Sequence, residues 1–439
     1  MRAQRLWIPI AVADRIANAT AGLTPFGRGF SRSRVHILGI ILAAALAATG
    51  LLLAEGHGGL GAALERTAFY DRQVRAAEIM RDCSLAIAEE RTAREIHIDP
   101  ELDPSGTGLI GAEFTPITTT LGVLEAKRTS TNPAFAALMV RYFLEAGLEP
   151  GDVVAVGASG SFPALILATL AACRALDLQP AVIYSIGASM YGANIPEFTF
   201  ADMLTLLNRR GLLPYELTAV SLGGEGDAGG NGILGQGAEC FEQAATRSGA
   251  PLLREDTIAD SIKARMAIFA TAAERLGRPV ACFVNVGGAT ANYGSTSASL
   301  DFPNGLVMQP KVMSAHRERG LIFEYAAMGV PVINLLDVRG LAVRNGLPVD
   351  PIPLPPPGEG GVYFTQAHSR PAAAAGRRRH GSGSAMLDRH YSAAASGRTV
   401  RRGAMVGIAQ LVEHLVVVQG VAGSSPVTHP RSGPSISML

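Results

Sequence analysis

Short apolar runs alternate with helical patterns through the middle of this chain, and the clearest repeat lies between residues 152 and 186. Asp152–Val156 is a run of Val and Ala, which is typical of a fully buried strand. Gly157–Ser161 supplies a turn, Pro163 suits a first helical turn, and Ala164–Leu176 has the pattern of a buried helix. A second apolar run, Ala181–Ile186, follows. The order strand, loop, helix, strand predicts parallel strands joined by a right-handed crossover.

The same alternation continues as far as residue 336. Three more apolar runs follow the central unit: Glu216–Leu222, Val280–Val286 and Pro331–Leu336. The helical patterns between them cover Ala201–Arg210, Ala238–Arg247, Ile258–Leu276 and Ser314–Met328. Helices that alternate with buried strands predict an α/β fold of Rossmann-like type, in which a mainly parallel sheet has flanking helices.

Glycine and other small residues follow several of the predicted strands. In a parallel sheet these corners lie at one edge, where backbone amides suit a carboxylate or a phosphate. Tight turns after buried strands also need glycine for purely structural reasons. The corner residues that we expect to bind substrate are Gly157, Gly160, Ser189, Gly287 and Gly288.

An uncharged run near the N-terminus, Ile37–Ala54, is long enough to cross a bilayer as one helix. Arginines precede it and Glu55 follows it, so the positive-inside rule places the N-terminus in the cytoplasm. The expected boundaries are 1–34 for a basic cytoplasmic segment, 35–55 for a single transmembrane anchor, and 62–361 for an extracytoplasmic α/β domain on the periplasmic or outer face of the cell membrane. A cleaved signal peptide is the alternative, because Ala45–Ala47 resembles a cleavage site.

The C-terminal segment, 362–439, differs in composition from the rest of the chain and is dominated by Arg, Ala, Ser and Gly. Within it, Ile408–His414 and Gly420–Pro430 are similar to peptides that arise when the strand opposite a tRNA gene is translated. We interpret this tail as disordered or as read-through past the natural stop, and we assign it no function.

Composition narrows the possible function classes. Apolar residues make up 48% of the chain and charged residues 17%, which is enough apolar material for a substantial core. The net charge of +1 argues against a nucleic-acid partner. Four cysteines lie far apart without metal-type pairing, and the chain has neither a dinucleotide fingerprint nor a Walker loop. We therefore expect no metal and no cofactor.

The central turn has a pattern close to the nucleophile elbow G-x-S-x-G, with Ser159 in the middle and Ser161 in place of the last glycine. A strand, turn and helix surround it, which is the context that this elbow needs. A serine nucleophile, Ser159 or Ser161, would require a base, for which His316, His97 and a lysine are the options. The other reading of His316 is an ordinary surface residue.

Lys127 and Arg128 are neighbouring cations in a chain that has only two other lysines, Lys263 and Lys311. They suit an electrostatic clamp for an acidic substrate, and Lys127 also suits the base of a Ser–Lys pair. Solvated surface charges are the alternative reading of both residues.

From about Arg34 to Gly361 the sequence resembles the poly-gamma-glutamate system protein family. The matching strings are GTGLIGAEFTPITTTLGVLEAKRTSTNP, VVAVGASGSFPA, SIGASMYGAN, FVNVGGA and LLDVRGLAVRNGLP. The resemblance implies one membrane anchor and a role in the synthesis, release or export of a γ-linked glutamate polymer. It supplies neither a mechanism nor catalytic residues.

Two functions follow for such a protein. The first is a membrane-anchored component of a poly-gamma-glutamate biosynthesis and export system, which binds or handles the polyanionic polymer beside a separate ATP-dependent ligase and other proteins of the system. The second is a serine-type hydrolase or transferase that acts on the γ-glutamyl amide. The polymer and the membrane are partners in both, and nucleic acid is a partner in neither.

Overall fold

The computed structural model describes residues 64–227 and 232–366 of the chain. Its helices are α1 (Tyr70–Ala93), α2 (Leu124–Ser130), α3 (Ala134–Glu145), α4 (Pro163–Ala175), α5 (Phe200–Arg209), α6 (Ala238–Ser248), α7 (Ile258–Leu276), α8 (Thr290–Tyr293), α9 (Leu321–Ala327) and α10 (Val338–Arg344). Its strands are β1 (Leu64–Arg66), β2 (Thr118–Thr120), β3 (Val153–Ser159), β4 (Gln179–Ser185), β5 (Ala188–Ser189), β6 (Ala219–Ser221), β7 (Leu252–Leu253), β8 (Val280–Val286), β9 (Gly305–Val307), β10 (Val332–Leu335) and β11 (Phe364–Gln366).

Seven strands form the main sheet in the order β7-β6-β4-β3-β8-β10-β9. Neighbouring strands run parallel except at one edge, where β9 pairs with β10 in the antiparallel sense. From β3 the chain moves outward through β4, β6 and β7, and then returns to the other side of β3 as β8. The predicted mixed α/β fold with a mainly parallel sheet is confirmed, and the order of strands reverses between β3 and β8. Such a reversal is where open α/β sheets form a crevice at their carboxyl edge.

Apolar side chains cover both faces of the sheet. On one face, which we call the α4 face, α1, α3 and α4 pack against alternate residues of β3 that include Val154 and Val156. On the opposite α7 face, Phe269 of α7 and Tyr325 of α9 pack with Phe283 of β8. The sheet is therefore the middle layer of three, with a core on each side.

Local sequence signals set several element ends. Helix α7 begins at the predicted Ile258, because the Thr257 hydroxyl caps it by accepting a hydrogen bond from the Asp260 amide. The same helix stops at Gly277, whose φ of 68° lies in the left-handed region that glycine tolerates. Pro163 occupies the first turn of α4 as predicted.

Two predicted elements differ from the structure. Gly157 and Ser159 were expected in a turn, but β3 continues through both residues, because β4 pairs with it as far as Ser159 and β8 as far as Ala158. The helix predicted over Ser314–Met328 begins only at Leu321, since the charged stretch before it forms a loop that ends at Gly320, whose φ is 82°.

The folded part extends past the expected boundary at residue 361. Val362 and Tyr363 are buried, and β11 pairs antiparallel with β1. Within 64–227 and 232–366 no helix combines the length and the apolar character that a membrane span requires. The predicted cytoplasmic segment at 1–34, the predicted anchor at 35–55 and the tail beyond residue 366 lie outside the described residues.

Candidate functional site

The carboxyl ends of β3, β4, β6, β8 and β10 lie at one edge of the main sheet, as parallel strands require. The corner amides there continue the hydrogen bonding of the sheet. Gly160 N donates to Ser185 O, Gly187 N to Leu222 O and Gly287 N to Leu335 O, each over 2.9–3.0 Å. These three amides are therefore engaged with neighbouring strands, whereas Gly288 is exposed at the edge.

Ser159 is the last residue of β3 and is buried. Its hydroxyl donates to the hydroxyl of Ser161 over 3.1 Å and accepts a hydrogen bond from the Ser161 amide over 3.2 Å. Ser161 is half-buried and is the more accessible of the two. The predicted elbow thus brings both serines to the carboxyl edge, with their hydroxyls in contact.

Lys127 reaches these serines from α2, although it lies far from them in the chain. Its Nζ donates to Ser189 Oγ and to Ser161 O, each over 2.6 Å. The same ammonium lies 3.5 Å from the centroid of the Phe162 ring. The lysine is only 2% exposed, so it is held in one orientation at the centre of the site.

Ser189 lies in β5, which pairs in parallel with β2 in a separate two-stranded sheet. Its amide donates to Ser161 Oγ over 3.0 Å, and the residue is 5% exposed. Gly122 sits beside it, where a Cβ atom would come within 3.3 Å of both Ser189 Oγ and Lys127 Cε. Lys127, Ser159, Ser161 and Ser189 therefore form one connected group, which we call the serine–lysine cluster.

The chemistry that this cluster suits is nucleophilic attack by a serine with an amine as base. Lysines at buried sites serve as general bases because their ammonium group can lose its proton there. Sequence reasoning named Lys127 as one of several bases and Ser189 only as a binding residue. It missed their contact, because the two residues lie 62 positions apart and no local pattern joins them.

Arg128, the second residue of the predicted clamp, is bound to an acidic side chain. Its guanidinium forms a two-point ion pair with Asp350, with Nε 2.7 Å from Oδ1 and Nη2 bonded to Oδ2. The hydrogen bond that Arg128 donates to Asp350 raises the pKa of its guanidinium. Arg128 is thus paired with an acid, and Lys127 donates hydrogen bonds to Ser189 and Ser161.

His316 is exposed in the loop before α9. Its Nδ1 accepts a hydrogen bond from the Glu318 amide over 3.1 Å. None of the hydrogen bonds among the described residues joins it to Ser159 or Ser161. The structure therefore does not bring this histidine together with the serines that it was expected to activate.

A buried arginine lies at the same edge on the α7 face. Arg265 of α7 is 0% exposed, and its Nη2 lies 2.6 Å from Asp227 Oδ2. The same nitrogen donates to the hydroxyls of Ser221 and Ser185 over 2.6 and 3.1 Å. Asp227 also accepts hydrogen bonds from Ser221 and Ser261. Sequence reasoning did not find this group, although strands ending in serine side by side were a signal for it.

A group of buried asparagines adjoins the arginine across β3. Asn285 of β8 donates to Asn334 of β10 over 2.8 Å. Asn292 of α8 lies over Gly157, where a Cβ atom would come within 2.6–2.7 Å of the carboxamide. Gly157 is therefore a packing position beneath Asn292, inside the strand, whereas it was expected to be part of a substrate-binding corner.

Within the described part of the chain, no group of three or more His, Cys, Asp or Glu side chains could hold a metal ion. No family model, no curated protein and no solved structure matches the chain. The geometry of the serine–lysine cluster therefore carries the argument for function.

Proposed function

We propose that this protein is a serine-type hydrolase or transferase that acts on the γ-glutamyl amide in a poly-gamma-glutamate synthesis and export system. The observation that carries the proposal is the 2.6 Å contact between Lys127 Nζ and Ser189 Oγ in a buried cluster. A nucleophile within hydrogen-bond reach of its base is the geometry that covalent catalysis requires.

In the proposed reaction, the neutral amine of Lys127 takes the proton of the Ser189 hydroxyl as Oγ attacks the γ-carbonyl carbon. The C–N bond of the amide then breaks, and the lysine ammonium returns the proton to the departing amine. An ester between Ser189 and the γ-carboxyl group remains. Water releases it in a hydrolase, and the amine of another glutamyl chain releases it in a transferase.

Ser161 supports this assignment of the nucleophile. Its carbonyl oxygen accepts a hydrogen bond from Lys127, and its hydroxyl accepts one from the Ser189 amide. It therefore holds the base and the nucleophile in place at once. Ser159 contacts Ser161 and makes no hydrogen bond to Lys127 among those of the described residues, so it is the less direct choice.

The parts of the proposal that concern the polymer, the membrane and the pathway rest on the sequence. The polymer carries one free carboxylate per residue, and strings that resemble the family include both Lys127 and Ser189. In this proposal the protein is anchored by the segment 35–55, and its α/β domain works outside the cytoplasm with other proteins of the system.

The test is a cleavage assay with the purified full-length chain in detergent. Poly-gamma-glutamate is incubated with the protein, and its chain length is followed by size-exclusion chromatography. We expect the wild type to shorten the polymer or to change its length distribution, and Ser189→Ala to leave it unchanged. Ser248→Ala, which alters a hydroxyl at the end of α6, is the matched control and should act like the wild type. If cleavage persists in Ser189→Ala and stops in Ser159→Ala, the nucleophile is Ser159 of the predicted elbow.

The second candidate function is handling of the polymer without cleavage. The observation that favours it is burial, because Ser189 and Lys127 are 5% and 2% exposed and a polymer must reach them to be cut. In this case the purified protein binds the polymer, and the length of the polymer stays constant with every variant. Binding without shortening would therefore replace the enzymatic proposal with this one.

A further inference from the structure

Several of the buried polar atoms that lack a partner among the described residues share one layer of the molecule. They lie on the α7 face at the carboxyl ends of the central strands. Four such atoms have no hydrogen-bond partner among the described residues: Arg265 Nη1, Asn285 Oδ1, Asn292 Nδ2 and Asn292 Oδ1. All three side chains are fully buried. We call Arg265, Asn285 and Asn292, together with Gly157, Ser185 and Ser221 on the strands beneath them, the polar layer.

Leaving such atoms unsatisfied is costly, since each has given up hydrogen bonds to water. Two of the four atoms are donors and two are acceptors. A single kind of group, such as a lone anion, satisfies only the donors. The layer therefore fits an occupant that both accepts and donates hydrogen bonds.

Strand register gives the spacing within the layer. The Asn292 carboxamide lies over Gly157 of β3, and the Arg265 guanidinium bonds to Ser185 of β4 and Ser221 of β6. Neighbouring strands are about 4.8 Å apart, so the two groups are roughly 7 Å apart across the sheet. Ser185 pairs with Ser159 and not with Gly157, which adds an offset of roughly 6.6 Å along the strands, so the full separation is roughly 10 Å. This spacing matches a molecule with the size of one amino acid.

Two chain segments cover the layer. The turn Glu225–Asp227 packs against α8, and Thr290 Oγ1 donates to Gly224 O over 3.4 Å. Below the layer, the same face of the sheet is apolar and includes Ala155, Ile183 and Phe283. The polar groups are therefore enclosed between an apolar floor and two backbone corners, as in many small-molecule sites.

We infer that the polar layer binds a small molecule that carries a carboxylate and an amino or amide group, in the size range of a single amino acid. The carboxylate accepts from Arg265 Nη1 and Asn292 Nδ2, and the amino or amide group donates to Oδ1 of Asn285 and of Asn292. This site stands apart from the proposed cleavage at Ser189. Only the choice of glutamate as the first probe rests on the proposed function.

Calorimetric titration of the full-length protein tests the site, with L-glutamate, D-glutamate, L-glutamine and acetate as probes. At least one of the three amino acids should bind the wild type, and acetate should bind at least about tenfold more weakly because it lacks the donor group. Asn292→Ala should weaken that binding at least about tenfold, because it removes one donor and one acceptor. Asn132→Ala is the matched control, since Asn132 is also buried with an unpartnered amide nitrogen, but belongs to the start of α3. The Asn132→Ala variant should bind the amino acid with the same affinity as the wild type.

Failure to bind any of the three amino acids would overturn the inference and leave ordered water as the occupant. Equal affinity in Asn292→Ala and the wild type would also overturn it. Asn292→Leu repeats the test if the alanine variant does not fold. Binding that survives in Ser189→Ala supports the site whatever the outcome of the cleavage assay, and binding of glutamine without glutamate supports the site while removing its link to the polymer.

Discussion

Asp227 and Arg265 form an ion pair inside the protein, with Nη2 2.6 Å from Oδ2 and side chains that are 4% and 0% exposed. The pair joins the corner after β6 to helix α7. Asp227 adopts a φ of 62°, a left-handed conformation that is uncommon for residues other than glycine. The ion pair and three serine hydroxyls thus hold an otherwise unfavourable corner against the sheet.

Removal of one partner of the Asp227–Arg265 pair should destabilise the protein strongly, because the charge of the other partner is then left buried without compensation. We expect Asp227→Ala to lower the free energy of unfolding by about 3–5 kcal/mol. Urea denaturation followed by circular dichroism measures the change. Glu242→Ala is the control, since it breaks an exposed ion pair with Arg254 and should cost about 0–1 kcal/mol. A loss in Asp227→Ala as small as that of the control would show that the pair contributes little.

Gly157 is predicted to be intolerant of a side chain for a steric reason. The Cβ atom of Gly157→Ala would lie 2.6 Å from the Asn292 carboxamide, which is too close for any real contact. We expect this substitution to cost about 1–3 kcal/mol of unfolding free energy. Asn292→Ala should remove the clash, so the double variant should be more stable than the sum of the two single changes predicts. Strict additivity in this double-mutant cycle would contradict the contact.

Lys127 is predicted to act as a base and not as a fixed charge. Lys127→Met should reduce polymer cleavage by about 10²–10⁴-fold, since general base catalysis is lost. Lys127→Arg should not restore it, because arginine cannot give up its proton in a protein. Rates are measured by the release of new chain ends, and Lys263→Met, at an exposed position of α7, is the control. Recovery of the rate in Lys127→Arg would assign the lysine an electrostatic role.

The four cysteines are predicted to differ in reactivity. Burial, with a smaller effect from the charge of Asp82, raises the pKa of Cys83 to about 12, and burial also raises the pKa values of Cys173 and Cys282. Cys240 is half-buried. Because the thiolate is the reactive form, one thiol should react rapidly with Ellman's reagent at pH 8, and all four should react in denaturant. Loss of the rapid reaction in Cys240→Ser identifies it, and rapid labelling of Cys83 would contradict the burial.

Stability is predicted to fall at alkaline pH. Burial raises the pKa of the Cys83 thiol from 9.0 and that of the Tyr363 hydroxyl from 10.0, each to about 12. For an acid whose folded pKa is raised, the stabilisation is complete below the unfolded pKa and is lost as the pH rises through the folded value. The melting temperature should therefore decline between about pH 9 and pH 12. A melting temperature that stays constant over that range would be inconsistent with these shifts.

The hydrophobic periodicity of the sequence was sufficient to predict the mainly parallel architecture of the sheet. It gave the bounds of α7 and β8 as they occur in the structure, because a buried run and its capping residues are encoded within a few neighbouring positions. The same local signals placed Pro163 at the start of α4 and predicted a common edge for the strand ends. They could not show that Gly157 belongs to the strand, since that depends on pairing with β4 and β8.

The sequence by itself determined which segments are buried and in which order strands and helices alternate, since these follow from the spacing of apolar residues along the chain. Only the tertiary structure decided the partners of the polar side chains. Lys127 meets Ser189 across 62 positions, and Arg265 meets Asp227 across 38. Such contacts arise when separate elements pack against one sheet, and no pattern of neighbouring residues records which side chains will then lie within hydrogen-bond distance.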